Sequence, residues 1–203
     1  MEKPIAPSLI YRKQSTTTQV PVAFADASSE DKSVISTSVQ KILLTKEQTD
    51  YISNNWDKYE GKEEDFQLKG TMAARQVPFL LKFLTPIKLI LEKQTGMTLK
   101  EKFTGIRMYH KGDSLAKHID NASQFAISIT VKKSDTKDNP LVVYDKNDNP
   151  KVVLLEEGDG CYFEGMIVTH ERKEVQSDFL LVIYLGYDIV RKSVADTRKK
   201  SFI

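Results

Sequence analysis

The amino-acid sequence predicts an α+β protein that is mainly β: a double-stranded β-helix (jelly roll) with supporting N-terminal helices. Two segments with helical periodicity come first, and at least six short segments rich in β-branched residues follow them. Clusters of Gly, Pro, Asn and Asp separate these later segments, as expected for antiparallel strands joined by turns. Strands and helices do not alternate and no repeat is visible, so a parallel α/β sheet is not predicted.

The composition is typical of a soluble globular protein. Of the 203 residues, 40% are hydrophobic and 29% are charged, and 30 basic against 28 acidic residues give a formal charge of +2. This balance predicts no general affinity for nucleic acid or for an anionic membrane. The single cysteine, Cys161, excludes an internal disulfide, and no apolar run reaches the roughly 20 residues that span a bilayer. We therefore expect a soluble cytoplasmic protein, with no indication of its oligomeric state.

The chain divides into three parts by composition. Residues 1–38 are rich in Ser, Thr and charge without a sustained apolar period, and they predict a poorly ordered arm or a segment draped over the body. Residues 39–190 carry the helical and strand patterns and predict one jelly-roll domain. Residues 191–203 form a basic C-terminal tail, which is expected to be solvated.

Two helices are predicted at the start of the domain. Thr45, with Gln48 three residues later, forms a capping box, and Leu44 precedes the cap as a hydrophobic staple. The second helix fits residues 77–96, where Gly96 supplies the stop signal. Its apolar stripe is that of a helix packed on a core.

Six segments after the helices predict strands. Each is short, rich in Val, Ile, Leu, Phe or Tyr, and bounded by turn residues. They are KFTGIRMYH, FAISITVKK, PLVVYD, PKVVLLEEG, GCYFEG and DFLLVIYLGY.

A histidine and an aspartate two residues apart, His118 and Asp120, are the first candidate site residues. In an extended strand end their side chains point to the same side. Two imidazoles and one carboxylate form the iron site of non-haem iron(II) oxygenases, so a second histidine is needed. The chain offers His110, at the end of the preceding strand, and His170, just before the last long strand. Taken alone, the pair is more typical of a surface histidine beside a turn-capping aspartate.

The sequence around this pair resembles a family signature. The run IRMYHKGDSLAKHID is similar to the Y-x-x-G-x-x-x-x-x-H-x-D pattern of the prolyl-4-hydroxylase-like branch of the iron(II)/2-oxoglutarate oxygenases. Tyr109, Gly112, His118 and Asp120 occupy the marked positions.

A second run, VVLLEEGDGCYFEGMIVTH, resembles the later signature of the same family. Gly158 fills the turn, Phe163 ends the following strand, and a loop delivers the distal histidine, His170. The resemblance covers roughly residues 40–188 and implies a jelly roll. It also implies that His170 joins the His-x-Asp pair as a ligand of Fe²⁺.

The resemblance implies an iron(II)-dependent dioxygenase with 2-oxoglutarate as cosubstrate and molecular oxygen as oxidant. The expected reaction is hydroxylation of a protein side chain, of prolyl type, or of a small amino-acid-like molecule. Tyr109, on the strand entering the site, is a candidate hydrogen-bond donor to the cosubstrate, and it equally fits a core aromatic residue.

One feature departs from the family pattern. The family places an Arg or Lys about nine or ten residues after the distal histidine, where it binds the far carboxylate of 2-oxoglutarate. The corresponding positions hold Asp178, Phe179 and Leu180, and an aspartate there is expected to repel a dicarboxylate. The alternative hypothesis is therefore a metal-binding jelly-roll protein that uses another cosubstrate, or a non-catalytic binding scaffold.

Other cations are candidates for the missing anchor. Alternate residues of the segment 127–131 share one strand face, and Lys133 continues that face. A Lys about fifteen residues after the first histidine resembles the JmjC-type branch of the superfamily, so Lys133 is the first candidate. Arg172 and Lys173, expected in a loop beside the distal histidine, and Arg107 rank behind it.

Overall fold

The computed structural model of the protein describes residues 20–21, 38–40 and 43–190. Most of the predicted arm, and the whole of the predicted basic tail at 191–203, lie outside the described residues. Among the described residues, no helix is both long and apolar enough to cross a membrane.

The first helix, α1 (Lys46–Lys58), begins at the predicted capping box. The Gln48 backbone N–H donates to Thr45 Oγ1 at 3.3 Å, and the Thr45 N–H donates to Gln48 Oε1 at 2.8 Å. These two bonds satisfy N–H groups that have no partner in the first turn of a helix. Ile52 and Trp56, one turn apart, are buried against the sheet.

The second helix, α2 (Leu81–Thr95), follows a short 3-10 turn at Pro78–Leu80. It ends where predicted, because Gly96 adopts φ +71° and its N–H bonds to the carbonyl of Glu92 at 2.9 Å. A left-handed residue of this kind is the usual stop for a helix and favours glycine.

Strands make up most of the remaining chain. In the described residues they are β1 (Val20–Pro21), β2 (Ser38–Gln40), β3 (Glu63–Glu64), β4 (Met72–Arg75), β5 (Leu99–His110), β6 (Leu115–His118), β7 (Phe125–Lys133), β8 (Leu141–Tyr144), β9 (Pro150–Val153), β10 (Gly160–Phe163), β11 (His170–Arg172) and β12 (Phe179–Ile189).

The strands form two antiparallel sheets, so the predicted jelly roll with helical support is confirmed. The larger sheet has the order β1-β2-β10-β7-β12-β5-β4-β3, and the smaller has the order β6-β11-β8-β9. Two short strands add to the edge of the larger sheet beside β10: β1 lies within the predicted arm, and β2 lies at the boundary between the arm and the domain.

Two apolar layers flank the larger sheet. On its outer face, side chains such as Ile129 and Ile183 pack with Ile52, Trp56 and Leu91 of the two helices. On its inner face, a smaller cluster joins it to the facing sheet, and that cluster includes Ala126, Leu141, Val143, Val153 and Phe163. The inner layer is thinner, and it continues into the cavity described next.

Candidate metal centre

Two neighbouring strands of the smaller sheet bring two histidines together. His118 ends β6 and His170 begins β11, and the two residues are direct partners in the antiparallel pair. Their ring centroids lie 4.3 Å apart. Residues 52 positions apart in the sequence thus meet because the strands that carry them pair edge to edge.

A backbone carbonyl orients each imidazole. His118 Nδ1 lies 2.7 Å from the carbonyl oxygen of Ala116, and His170 Nδ1 lies 3.0 Å from that of Val168. A carbonyl oxygen can only accept, so Nδ1 of each ring carries the proton and donates it. Nε2 of each ring then keeps its lone pair, as in histidines that ligate a metal.

Asp120 completes a triad with these two nitrogens. Its Oδ1 lies 3.9 Å from His118 Nε2 and 3.7 Å from His170 Nε2. One potential ligand atom from each of the three residues lies within 4.8 Å of the others. Neutral Nε2 and a carboxylate oxygen each present a lone pair and no proton. Three such atoms close together suit the binding of a cation.

Gly165 sets the position of Asp120. The Asp120 backbone N–H donates to the Gly165 carbonyl at 2.8 Å. A Cβ atom added to Gly165 would lie 2.3 Å from Asp120 Oδ2, far inside van der Waals contact. The aspartate side chain therefore occupies space that exists because residue 165 has no side chain.

Burial keeps His170 neutral. Its side chain is 9% exposed and lies 4.5 Å, ring to ring, from Phe163. Burial lowers the pKa of His170, and the nearby carboxylate of Asp120 opposes that shift without cancelling it. An imidazole that is neutral near pH 7 needs no deprotonation before it binds a metal.

The triad opens on a cavity of about 480 Å³ between the two sheets. The cavity has an inner end among Tyr109, Arg172 and Val182, and an outer end toward β4 and the start of β5. The described residues that line it include Phe66, Gln67, Arg75, Gln76, Lys102, Phe103, Arg107, Tyr109, Leu115, Asp120, Ala126, Ser128, Leu141, Phe163, Arg172, Val182 and Tyr184.

Tyr109 lies on the inner wall of this cavity. Its ring is 4% exposed and packs with Val175, Leu180 and Val182. Its hydroxyl accepts a hydrogen bond from Arg107 Nη1 at 3.0 Å. The structure therefore places Tyr109 both in the inner apolar layer and at the cavity surface.

Lys133, the predicted carboxylate anchor, does not line the cavity. It does not continue the face of Ile127, Ile129 and Val131, because the pairing of β7 with β12 shifts by one residue after Thr130 and Lys133 lies opposite Leu180. Those three apolar residues pack in the core beneath the helices. The opposite residues of β7, including Ala126 and Ser128, face the cavity. Lys133 Nζ instead forms an ion pair with Glu156 at 2.9 Å, and Lys133 is not among the cavity-lining residues.

The aspartate expected at the family's anchor position also lies elsewhere. Asp178 precedes β12, and its carbonyl accepts a hydrogen bond from the Lys111 N–H at 3.2 Å. It does not line the cavity, so the expected repulsion of a dicarboxylate does not arise from it. The inward positions of β12 near the inner end hold Leu180 and Val182.

Arg172, the candidate cation ranked behind Lys133, lies on the cavity wall. It was expected in a loop, but it belongs to β11, where it pairs with Leu115 and Leu141. Two residues after His170 on a strand, its side chain faces the same side as the distal histidine. The pattern His-x-Arg in an extended segment was the signal available in the sequence.

Comparison with known proteins gives a match of fold. No protein-family model and no curated protein matches the chain. A Burkholderia pseudomallei oxidoreductase of the 2-oxoglutarate–iron(II) oxygenase family superposes with a TM-score of 0.64 at 14% identity, covering 74% of this chain and 84% of its own. A Pseudomonas putida prolyl-4-hydroxylase gives a TM-score of 0.60 at 12% identity, with coverage of 74% and 91%.

A third solved structure is HygX from Streptomyces hygroscopicus with nickel, 2-oxoglutarate and hygromycin B bound. It gives a TM-score of 0.62 at 8% identity, covering 74% of this chain and 82% of its own. The chain thus has the fold of the 2-oxoglutarate–iron(II) oxygenases, among them prolyl-4-hydroxylases, as the sequence motifs predicted.

Proposed function

We propose that this protein is an iron(II)- and 2-oxoglutarate-dependent dioxygenase that hydroxylates a protein side chain of prolyl type or a small amino-acid-like molecule. The observation that carries the proposal is the convergence of His118, Asp120 and His170 on one point at the wall of a cavity. In this fold, such a triad suits binding of a metal with open positions toward a substrate.

The donor set fits iron(II). Two neutral imidazole nitrogens and one carboxylate oxygen are the ligands of non-haem iron(II) oxygenases, and they leave the remaining positions free. HygX, which shares the fold, was solved with nickel and 2-oxoglutarate bound. When bound, iron and 2-oxoglutarate supply the oxidising chemistry, in which 2-oxoglutarate yields succinate and carbon dioxide and one oxygen atom enters a substrate C–H bond.

The protein's own residues orient the ligands and exclude water. The carbonyls of Ala116 and Val168 hold both imidazoles with Nε2 toward the cavity. Phe163 covers His170 from one side. These contacts keep the donors in place before a metal arrives, which lowers the cost of binding.

The charge of the cavity supports an anionic cosubstrate. Among the described lining residues, Asp120 is the sole carboxylate, and four residues are cationic. Arg107 is paired with Asp65 and Lys102 with Asp188, whereas no ion pair within residues 43–190 includes Arg75 or Arg172. A dianion such as 2-oxoglutarate gains from this excess of positive charge in a partly enclosed site.

The outer end of the cavity supports a substrate with a ring or another apolar body. Phe103 and Tyr184 form an edge-to-face pair at 5.9 Å, and each ring lies over a glycine of the neighbouring strand, Gly186 and Gly105 respectively. A Cβ at either glycine would come within about 2 Å of the ring above it. Both rings therefore pack directly against the backbone of the sheet and form an apolar wall at this end of the cavity.

An anaerobic titration tests the proposal. The iron(II)-loaded protein is mixed with 2-oxoglutarate without oxygen, and we expect the visible metal-to-ligand charge-transfer band of the chelate to appear. Oxygen should then release succinate. Loss of a metal ligand should lower metal affinity more than about 100-fold, since loss of an outer-sphere partner alone costs 10- to 100-fold. His118→Ala and His170→Ala should therefore lose the band.

His110→Ala is the matched control, because His110 is exposed and outside the triad. It should bind metal and 2-oxoglutarate as the parent does. Absence of both the band and calorimetric heat at 2-oxoglutarate concentrations on the order of 1 mM would contradict the proposal. That result would leave a metal-binding jelly-roll protein that does not use 2-oxoglutarate.

A further inference from the structure

Arg172 is a buried cation with an unused donor at the inner end of the cavity. It is 3% exposed and lines the cavity wall. Its Nη1 donates to the carbonyl oxygen of Asn139 at 2.8 Å, but its Nε has no hydrogen-bond partner in the part of the chain that the structure describes. No ion pair within residues 43–190 includes it. A buried guanidinium without an anion is costly, so this donor needs a ligand.

The neighbouring cation Arg107 is already neutralised. Its Nε and Nη2 both lie 2.8 Å from Asp65 Oδ2, and Nη2 also donates to Gln67 Oε1 at 2.9 Å. Its remaining Nη1 donates to Tyr109. Arg107 therefore has no comparable need for a further anion, and it serves to fix Tyr109 in the inner wall.

Burial lowers the pKa of Arg172, and the Tyr109 phenol beside it opposes the shift. The Arg172 Cζ lies 5.8 Å from the centre of the Tyr109 ring. A guanidinium keeps its proton even when it is buried in a protein. A permanent positive charge is thus held at the closed end of the cavity, away from solvent.

Strand β11 connects the triad to the inner end of the cavity. His170 and Arg172 are two residues apart on β11, which corresponds to about 6.6 Å along a strand. Their side chains face the same side of that strand. A five-carbon dicarboxylate chelated near the triad at one end has the length to reach the guanidinium with its other end.

We propose that Arg172 binds the distal carboxylate of 2-oxoglutarate, and this inference rests on the proposed function. The cation then comes from the smaller sheet, on the strand of the distal histidine. The corresponding inward positions of β12, on the facing sheet, are filled by Leu180 and Val182. One strand consequently carries both a metal ligand and the cosubstrate anchor.

Two ligands and two variants test this inference by calorimetry on the nickel-loaded protein. The ligands are 2-oxoglutarate and 2-oxobutyrate, which has the chelating end and lacks the distal carboxylate. Arg172→Gln should weaken 2-oxoglutarate binding by about 10- to 100-fold, the range for a hydrogen bond to a charged group. It should leave the affinities for 2-oxobutyrate and nickel unchanged. Arg172→Lys should lie between the two proteins, because it keeps the charge and loses the fork.

Lys133→Met is the matched control, since Lys133 is a buried cation outside the cavity. If Arg172→Gln does not fold, the same comparison is made with Arg172→Lys, and a second readout is the shift in melting temperature with succinate and no metal. Succinate should stabilise the parent more than Arg172→Lys.

The outcomes distinguish failure of the Arg172 anchor from failure of the proposed function. In one outcome the parent binds 2-oxoglutarate tightly and Arg172→Gln or Arg172→Lys binds it equally well. That result would contradict the role of Arg172 as anchor and would leave the proposed function standing. No 2-oxoglutarate binding by the metal-loaded parent would overturn both. Equal weakening of 2-oxobutyrate and 2-oxoglutarate would also overturn the anchor, because Arg172 would then act on the chelating end or on the metal site.

Discussion

The two faces of the larger sheet come from the same strands but differ in chemistry. On β7 and β12, Ile129 and Ile183 point to the helices and are fully buried in the main core. The adjacent residues Ser128 and Val182 point the other way and line the cavity. Successive residues of a strand alternate between these two environments.

The difference separates stability from ligand binding. The helix side is filled by large apolar side chains, and close packing there contributes most of the burial on which folding depends. The cavity side carries small residues such as Ala126 and Ser128, several aromatic rings and two arginines around an unfilled cavity, which leaves space and charge for ligands. Substitutions on the two faces should therefore have different effects.

The largest expected effect on stability is on the helix side. Ile183→Ala removes a fully buried side chain from the main core and should lower the free energy of unfolding by about 2–5 kcal/mol. The 2-oxoglutarate affinity of the nickel-loaded, folded protein should stay unchanged. Urea unfolding and calorimetry measure the two quantities.

Val182, which is adjacent to Ile183 and faces the cavity, provides the comparison. Val182→Ala should destabilise the protein less, because it removes fewer carbons next to an existing cavity. It should instead weaken 2-oxoglutarate binding by removing apolar contact at the inner end. Loss of ligand affinity in Ile183→Ala rather than in Val182→Ala would show that the two faces are not separate.

The next largest expected effect is on metal binding by the triad. In Gly165→Ala the new methyl group would lie 2.3 Å from Asp120 Oδ2, so the carboxylate must turn away from the two histidines. We expect metal affinity to fall by about 10- to 100-fold, as for disturbed outer-sphere contacts, with little change in unfolding free energy. Titration with nickel or iron(II) measures the loss.

A double-mutant cycle identifies the cause. In an Asp120→Ala background, Gly165→Ala should have no further effect on metal affinity, because the group it displaces is gone. Additive losses in the double variant would mean that Gly165 acts through the fold of the loop and not through Asp120.

Local patterns in the sequence predicted most of the fold. The capping box at Thr45, the helix stop at Gly96 and the six strand segments all depend on neighbours within a few residues, and the structure confirms them. The strands that were missed, such as β4, β6 and β11, are only three or four residues long. Such segments carry too few residues for a period to emerge, and they exist because other strands of the fold pair with them.

The motifs in the sequence pointed to the triad but not to the position of Arg172. The motifs identified the triad of His118, Asp120 and His170, and the structure brings those three residues together. The environment of Arg172 depends on which sheet its strand joins, and that is a tertiary property. Period-two alternation grouped Lys133 with residues 127–131, and this was wrong, because a one-residue register shift after Thr130 interrupts the alternation. The sequence gives no sign of such a bulge, which depends on the pairing with β12.

The smallest expected effect is that of substituting Lys133. Lys133 forms its ion pair with Glu156, whose side chain is 67% exposed, so the pair contributes at most about 1 kcal/mol to stability. Lys133→Met should therefore change the free energy of unfolding by no more than that and leave 2-oxoglutarate affinity unchanged, and Glu156→Gln should behave alike. A loss of affinity in Lys133→Met as large as in Arg172→Gln would mean that Arg172 is not the specific anchor of the cosubstrate. Equal affinity in the parent and Lys133→Met, beside a loss in Arg172→Gln, would confine ligand binding to the cavity face.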